Sequence, residues 1–174
     1  MLILWAVLTY NHLVSLRTRA DNGWSQIDVQ LRRRYDLIPN LVQTVRGYAA
    51  HERETLEAVT QARATAEAAT GVGAQAEAEN ALTAGLRQLL AVVEAYPDLK
   101  ADQNFLALQE ELTGTESKIA YARQFYNDTV AKLNASIRRF PGVLLARPLG
   151  FIEREFFRID DPARGPVQVD LGNA

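Results

Sequence analysis

Residues 24–52 read WSQIDVQLRRRYDLIPNLVQTVRGYAAHE. Within this stretch Trp24, Ile27, Leu31 and Tyr35 fall three or four residues apart, the spacing that lines side chains along one stripe of an α-helix. The stripe continues backwards through Ala20, Leu16 and Leu13. Gly23 is its one weak point, since glycine costs a helix about 1 kcal/mol against alanine. Pro39 lacks an amide proton and pushes Ile38 away from helical geometry. The spacing therefore predicts an interruption at Asp36-Leu37-Ile38-Pro39, either a kink or, as the favoured reading, a reversal of the chain, with a new helix starting at the proline.

Outward from the proline, Leu41 or Val42, Val45, Tyr48 or Ala49, Leu56, Val59 and Ala62 mark a second helix that runs to Thr70. Gly71-Val72-Gly73 closes it as a cap and turn. Leu82, Leu86, Leu89, Val93 and Tyr96 mark a third, ending at Tyr96-Pro97-Asp98. The fourth is the longest, holding the same spacing from Phe105 through Leu112, Ile119, Tyr126 and Val130 to Ile137, and Pro141-Gly142 closes it. No strand alternation intervenes. Four long amphipathic helices with short connections predict an all-α chain, an antiparallel four-helix bundle over residues 17–140.

Ahead of the bundle, residues 1–16 read MLILWAVLTYNHLVSL, with eight uninterrupted apolar residues first. Sixteen helical residues reach about 24 Å, against about 30 Å of bilayer hydrocarbon. A signal peptide would carry a basic region before the apolar run, and none is present. The segment reads as the inner half, or a clipped form, of an N-terminal transmembrane helix, a reading that leaves room for a start upstream of Met1. Arg17 and Arg19 follow directly, as expected where the C-terminal side of a span faces the cytoplasm. That predicts a single-pass protein of the cell membrane with a cytoplasmic C-terminal domain, touching lipid through its N-terminal helix. Trp5 and Tyr10 are candidate interfacial aromatics.

The totals exclude several function classes. A net charge of −2 over 174 residues speaks against a dedicated nucleic-acid binder. Without cysteine there are no disulfides, thiolate metal sites or thiol nucleophiles. His12 and His51 are the only histidines. His51-Glu52 begins like a zinc-protease motif, but Thr55 stands where the second histidine is needed.

At this level the sequence resembles the bacterial LemA family over nearly its whole length. The blocks that carry the resemblance are residues 24–52, VVEAYPDLKADQNFLALQEEL at 92–112 and ESKIAYARQFYNDTVAKLN at 116–134, then RRFPGVLLA and the apolar run to Phe157. The membrane segment is shorter here than is usual in that family. The resemblance implies a membrane-anchored helical bundle with a cytoplasmic domain and no established enzymatic activity.

The residues leave few chemical candidates. Arg32-Arg33-Arg34 reads best as interhelical pairing with Glu110, Glu111 or Glu116, with lipid phosphate as the other option; Arg17 and Arg19 are the lipid contacts expected. Asp28, Asp36, Asn40, Asn104, Gln109, Asn127 and Asp128 lie near seams or breaks. Asp36 and Asn104 are expected as helix caps, the others as polar register residues. No catalytic, cofactor or metal set is expected, and no small-molecule substrate. Residues 141–174 form an apolar C-terminal segment and tail: FPGVLLARPLGFIEREFF at 140–157 is expected to fold back on the bundle, lie on a bilayer or receive a partner, and Val167-Gln168-Val169 is strand-like only with help. The expected function is a non-enzymatic interaction or scaffold module at the bacterial cell envelope, with protein partners or self-association met on the fourth helix and residues 140–157. The alternatives are an accessory subunit of a membrane enzyme or protease system, which needs a pocket joining Asp28, Asp36, Asn40, Asn104 and Asn127, and a self-associating scaffold.

Overall fold

The computed structural model describes residues 1–159. The strand expectation for Val167-Gln168-Val169 lies outside the described residues. Among the described residues six helices follow one another: α1 (Leu2–Tyr48), α2 (Arg53–Ala68), α3 (Val72–Val93), α4 (Pro97–Lys100), α5 (Gln103–Arg138) and α6 (Gly142–Ala146). The described residues contain no strand.

The expected reversal at Asp36–Pro39 does not occur. α1 is a single helix of 47 residues with Pro39 inside it, about 70 Å long at the normal rise. The proline leaves the Tyr35 carbonyl, four residues earlier, without its helical donor. Arg63 of α2 supplies one instead: its Nε donates to the Tyr35 oxygen at 2.7 Å. The missing bond is thus replaced from outside the helix, and the apolar residues around the proline hold the rod in place, with Ile38, Leu41, Val42 and Val45 all buried. The reversal comes instead after Tyr48, at residues 49–52, so the expected second helix is divided between the end of α1 and α2.

α5 lies antiparallel along α1. Tyr48 meets Asp102, Arg34 meets Glu116, Trp24 meets Tyr126 and His12 meets Ser136, so positions rise on one helix as they fall on the other. α2 and α3 form a shorter antiparallel pair that covers only the far half of α1. Gly85 of α3 allows close packing on Val59 of α2. The long pair is tight at Gly23, where a Cβ would meet the Tyr126 Cα at 3.3 Å and the Phe125 ring at 3.2 Å. Four helices therefore bundle at one end, and α1 and α5 continue alone towards the other.

That two-helix half is completed by the C-terminal segment. α6 folds back against α1 and α5, and residues 151–159 run antiparallel to α5 as an extended strap. Leu13, Leu16, Leu133, Ile137, Ala146 and Phe151 make a small core of their own beneath it. Leu13 and Leu16, read as part of an anchor, are thus buried inside the protein. Among the described residues no helix is long and apolar enough to cross a membrane. The expected transmembrane helix is not supported, because the apolar run ends by Leu8 and the next apolar positions serve the α5–α6 core.

Candidate functional site

Among the described residues the only charged side chains fully buried are Arg34 of α1 and Glu79 of α3, and they form the heart of an ion cluster. Arg34 sits between Leu31 and Ile38 on the inward stripe, and Glu79 lies between Ala76 and Leu82 on the inward stripe of α3. Arg34 Nη1 donates to Glu79 Oε2 at 2.9 Å, with side-chain exposures of 1% and 0%. Its Nη2 donates to Thr83 Oγ1 at 2.9 Å. The Tyr35 hydroxyl donates to the other oxygen of Glu79, and Gln75 Nε2 lies 2.8 Å from the Tyr35 hydroxyl and 3.1 Å from Glu79 Oε1. Burial, reinforced by the bond to Glu79, drives the Tyr35 phenol far above its ordinary pKa, so it stays a donor.

Glu116 of α5 closes the cluster from the solvent side. Its Oε1 lies 2.9 Å from Arg34 Nε, although the N–H is not aimed at it and makes no hydrogen bond. The pair is therefore ionic contact rather than a directed bond. Burial raises the Glu116 carboxyl pKa, and Arg34 opposes the rise. One cation thus serves two carboxylates, and Glu116 is the one that reaches solvent.

Glu116 also forms part of the wall of a groove of about 360 Å³ between α3 and α5, with Arg87, Gln109 and Thr113 among its lining. A carboxyl of raised pKa in a groove is the kind of group that enzymes use. Here the lining holds no histidine, cysteine or serine. As it stands, the cluster can fix the register of α1, α3 and α5.

The residues singled out in the sequence are dispersed. Asp28 pairs with Arg32 one turn on at 3.0 Å, and Arg33 lies 3.7 Å from Glu111. The expected interhelical pairing of the arginine run thus holds for Arg33 and Arg34, with Glu79 as the partner that was missed. Asp36 and Asn40 are exposed within α1; Asp36 is no cap, because the helix does not end there. The α5 cap is Asp102, whose Oδ1 accepts from the Phe105 amide at 2.9 Å, whereas Asn104 is exposed inside the helix. Gln109 and Asp128 are exposed, and His51 is exposed in the α1–α2 turn. Among the described residues no group of three metal-ligating side chains occurs.

Asn127 does have a role, as a latch for the strap. Its Nδ2 donates to the Phe157 carbonyl at 3.0 Å, and its Oδ1 accepts from the Phe157 amide at 2.9 Å. Asn134, two turns along α5, repeats the arrangement on Arg154 at 2.8 and 2.9 Å. The Tyr126 hydroxyl adds a bond to the Glu155 carbonyl at 3.0 Å, and the Phe157 ring stands edge-on to Trp24 at 5.3 Å. Two asparagines seven residues apart lie on one helix face, which is the signal that could have revealed the pair.

Three surface features remain. An open apolar groove of about 670 Å³ runs between α1 and α5, with Val29, Gly114, Tyr121 and Ala122 in its lining. The start of α1 exposes Ile3, Leu4, Val7 and Leu8. Beside it Phe140 stacks on Trp5 with centroids 6.1 Å apart, and Leu144 and Ile152 are exposed nearby in sequence.

Residues 23–171 match the LemA family. The chain belongs to that family. The LemA-family match takes in all of the helical pairings above from Gly23 onward, both asparagine latches and the ion cluster. Among curated relatives, the magnetosome protein MamQ of Magnetospirillum gryphiswaldense is 25% identical over 187 residues, covering 92% of this chain and 69% of the relative. Protein LemA of Metamycoplasma hominis is 26% identical over 161 residues, covering 92% of this chain and 73% of the relative. A magnetosome protein MamQ of Paramagnetospirillum magneticum is 25% identical over the same span.

Proposed function

We propose that this LemA-family chain is a membrane-associated, non-catalytic helical module that holds a bundle at the cytoplasmic face of the cell membrane for other envelope proteins or for further copies of itself. The observation that carries the reading is the first two turns of α1, where Ile3, Leu4, Val7 and Leu8 are exposed together on a helix. In water such a surface is costly; in contact with lipid its burial is favourable. Arg17 and Arg19 follow on the same helix, consistent with a cytoplasmic bundle. The relatives named as magnetosome proteins make an organelle or envelope assembly a fitting context.

For the protein-binding half of the reading, the support is the open groove between α1 and α5. Val29 and Tyr121 stand exposed on it, and a further amphipathic helix would cover them. An accessory enzyme subunit is a weaker reading, because Asp28, Asp36, Asn40, Asn104 and Asn127 converge on no common pocket.

Flotation of the full chain with vesicles tests the membrane half. The chain is expected to float with lipid, and Leu4→Ser/Leu8→Ser to float markedly less. Equal flotation of the two would reject this use of α1. Sedimentation velocity across concentrations tests self-association, with a strict monomer ruling out the variant of the reading in which copies meet.

A further inference from the structure

The apolar end of the molecule is not made by α1 alone. α5 ends at Arg138 beside the start of α1, and the chain turns through Phe140 and Pro141 into α6. Phe140 is 76% exposed and Ile152 77%, with Leu144 also exposed between them. These side chains flank a short helix that is itself well seated: Gly142 and Ala146 are buried, and Phe151 packs on Tyr10 at 5.9 Å. The exposure therefore belongs to a docked element rather than a loose loop.

Charge sorts to the same place. Residues 1–20 and 134–152 contain five arginines, Arg17, Arg19, Arg138, Arg139 and Arg147, and no aspartate or glutamate, in a chain whose net charge is −2. All five are exposed. Arg139 shares a groove with Leu8 and Phe140, and the Arg17 guanidinium stands over the Phe151 ring at 5.2 Å. The rest of the chain is correspondingly acidic. Exposed apolar side chains rimmed by five arginines, with the nearest carboxylates in sequence at Asp21 and Glu153, the latter 3.9 Å from Arg138, match the two layers of an anionic membrane surface: acyl chains inside, phosphates outside.

We propose that residues 140–152 form a second lipid contact, which lays Phe140, Leu144 and Ile152 into the interface of an anionic bilayer while Arg138, Arg139 and Arg147 meet its phosphates. The proposal rests on the membrane reading of α1 and extends it. Two contacts at one end fix the tilt of the long α1–α5 pair on the membrane, as a single helix cannot. They also join the C-terminal segment to the membrane through the same small core that holds Leu13 and Leu16.

The test uses the full chain with single tryptophans. In a background of Trp5→Phe and Trp24→Phe, Leu144→Trp reports on α6; Trp24→Phe alone keeps Trp5 as the reporter for α1. Both are mixed with vesicles of phosphatidylglycerol and phosphatidylcholine carrying brominated acyl chains. Quenching of both tryptophans is the expected result. Quenching at Trp5 without quenching at position 144 overturns the second contact and leaves the membrane reading of α1 intact; quenching at neither overturns both. Arg138→Gln/Arg139→Gln/Arg147→Gln is expected to weaken binding to the anionic vesicles tenfold or more at about 0.1 M salt and to lose this effect at about 1 M, where the Debye length falls to about 3 Å. Unchanged affinity in a variant with unaltered helical circular dichroism counts against the phosphate contacts.

Discussion

The Tyr35 carbonyl, deprived of its helical donor by Pro39, receives the Nε–H of Arg63 at 2.7 Å. Arg63 also pairs with Glu67 on its own helix at 3.0 Å, which aims the guanidinium. A side chain of α2 therefore stands in for a backbone bond of α1. Arg63→Met is expected to destabilise the protein by about 1.5–3 kcal/mol, the range for a hydrogen bond to a charged group. In a Pro39→Ala background the new amide can bond Tyr35 itself, and the same substitution should cost much less. Urea denaturation of the four-member cycle measures the coupling; additive effects would mean that Arg63 is not replacing the lost bond.

The Arg34–Glu79 pair makes a sharper prediction. Arg34→Met strands a fully buried carboxylate and is expected to cost about 3–5 kcal/mol. Arg34→Met/Glu79→Leu removes both charges and should recover a large part of that loss. The denaturation midpoints of single and double variants decide the matter, and a double variant less stable than Arg34→Met would contradict it.

For Glu116 the pH dependence is the readout. Burial raises its pKa in the folded protein, so the folded state takes up the proton more readily than the unfolded chain. Its contribution to stability therefore improves as pH falls through the folded pKa, and is constant below the ordinary carboxylate value. Glu116→Gln lacks this titration. Relative to the parent, the variant should have its most favourable Tm difference at neutral pH, declining towards about pH 4. Thermal scans over that window check the sign, and a difference that grows as pH falls would reverse it.

Release of the strap should be visible through Trp24. Asn127→Ala removes both bonds to Phe157 and leaves its backbone groups unpaired, a loss of about 1–3 kcal/mol where they stay buried. In a Trp5→Phe background the emission of Trp24, edge-on to Phe157, is expected to move to the red, and the Phe157 amide to lose protection from hydrogen exchange. An unshifted spectrum with full protection would show that the strap is held without the latch.

At Gly142 a Cβ would collide with the Ser136 carbonyl oxygen, a backbone atom that cannot swing aside. Gly142→Ala is expected to unseat α6 while leaving the far half of the bundle folded. Hydrogen exchange resolves the two regions; loss confined to residues 134–152 is the expected pattern, and unchanged protection there would refute the close approach.

The helices were legible because three-and-four spacing reports burial directly, and the seam from Leu13 to Tyr35 and that of α5 both emerged as read. Pro39 misled for a physical reason. Its cost is local and visible in sequence, whereas the guanidinium that offsets it comes from α2, 24 positions along the chain. Glu79 was legible in principle, as an acid on the seam between Ala76 and Leu82, but in an alanine-rich helix the seam itself is faint. Family resemblance identified the chain and gave no site, since the polar cluster at Arg34 is built by pairings between helices. Asn127 read as a register residue, and only the return of residues 151–159 along α5 showed what it holds.

Both asparagines grip the strap by its peptide groups, at Arg154 and Phe157. Such a grip is indifferent to what projects from the two residues between them. Glu153 and Phe156 point to solvent, and at Glu155 the protein uses the carbonyl. The outer edge of the strap is therefore a stretch where charge or bulk can be rewritten by drift, or a dye or crosslinker attached by design, while the underlying seam stays shut.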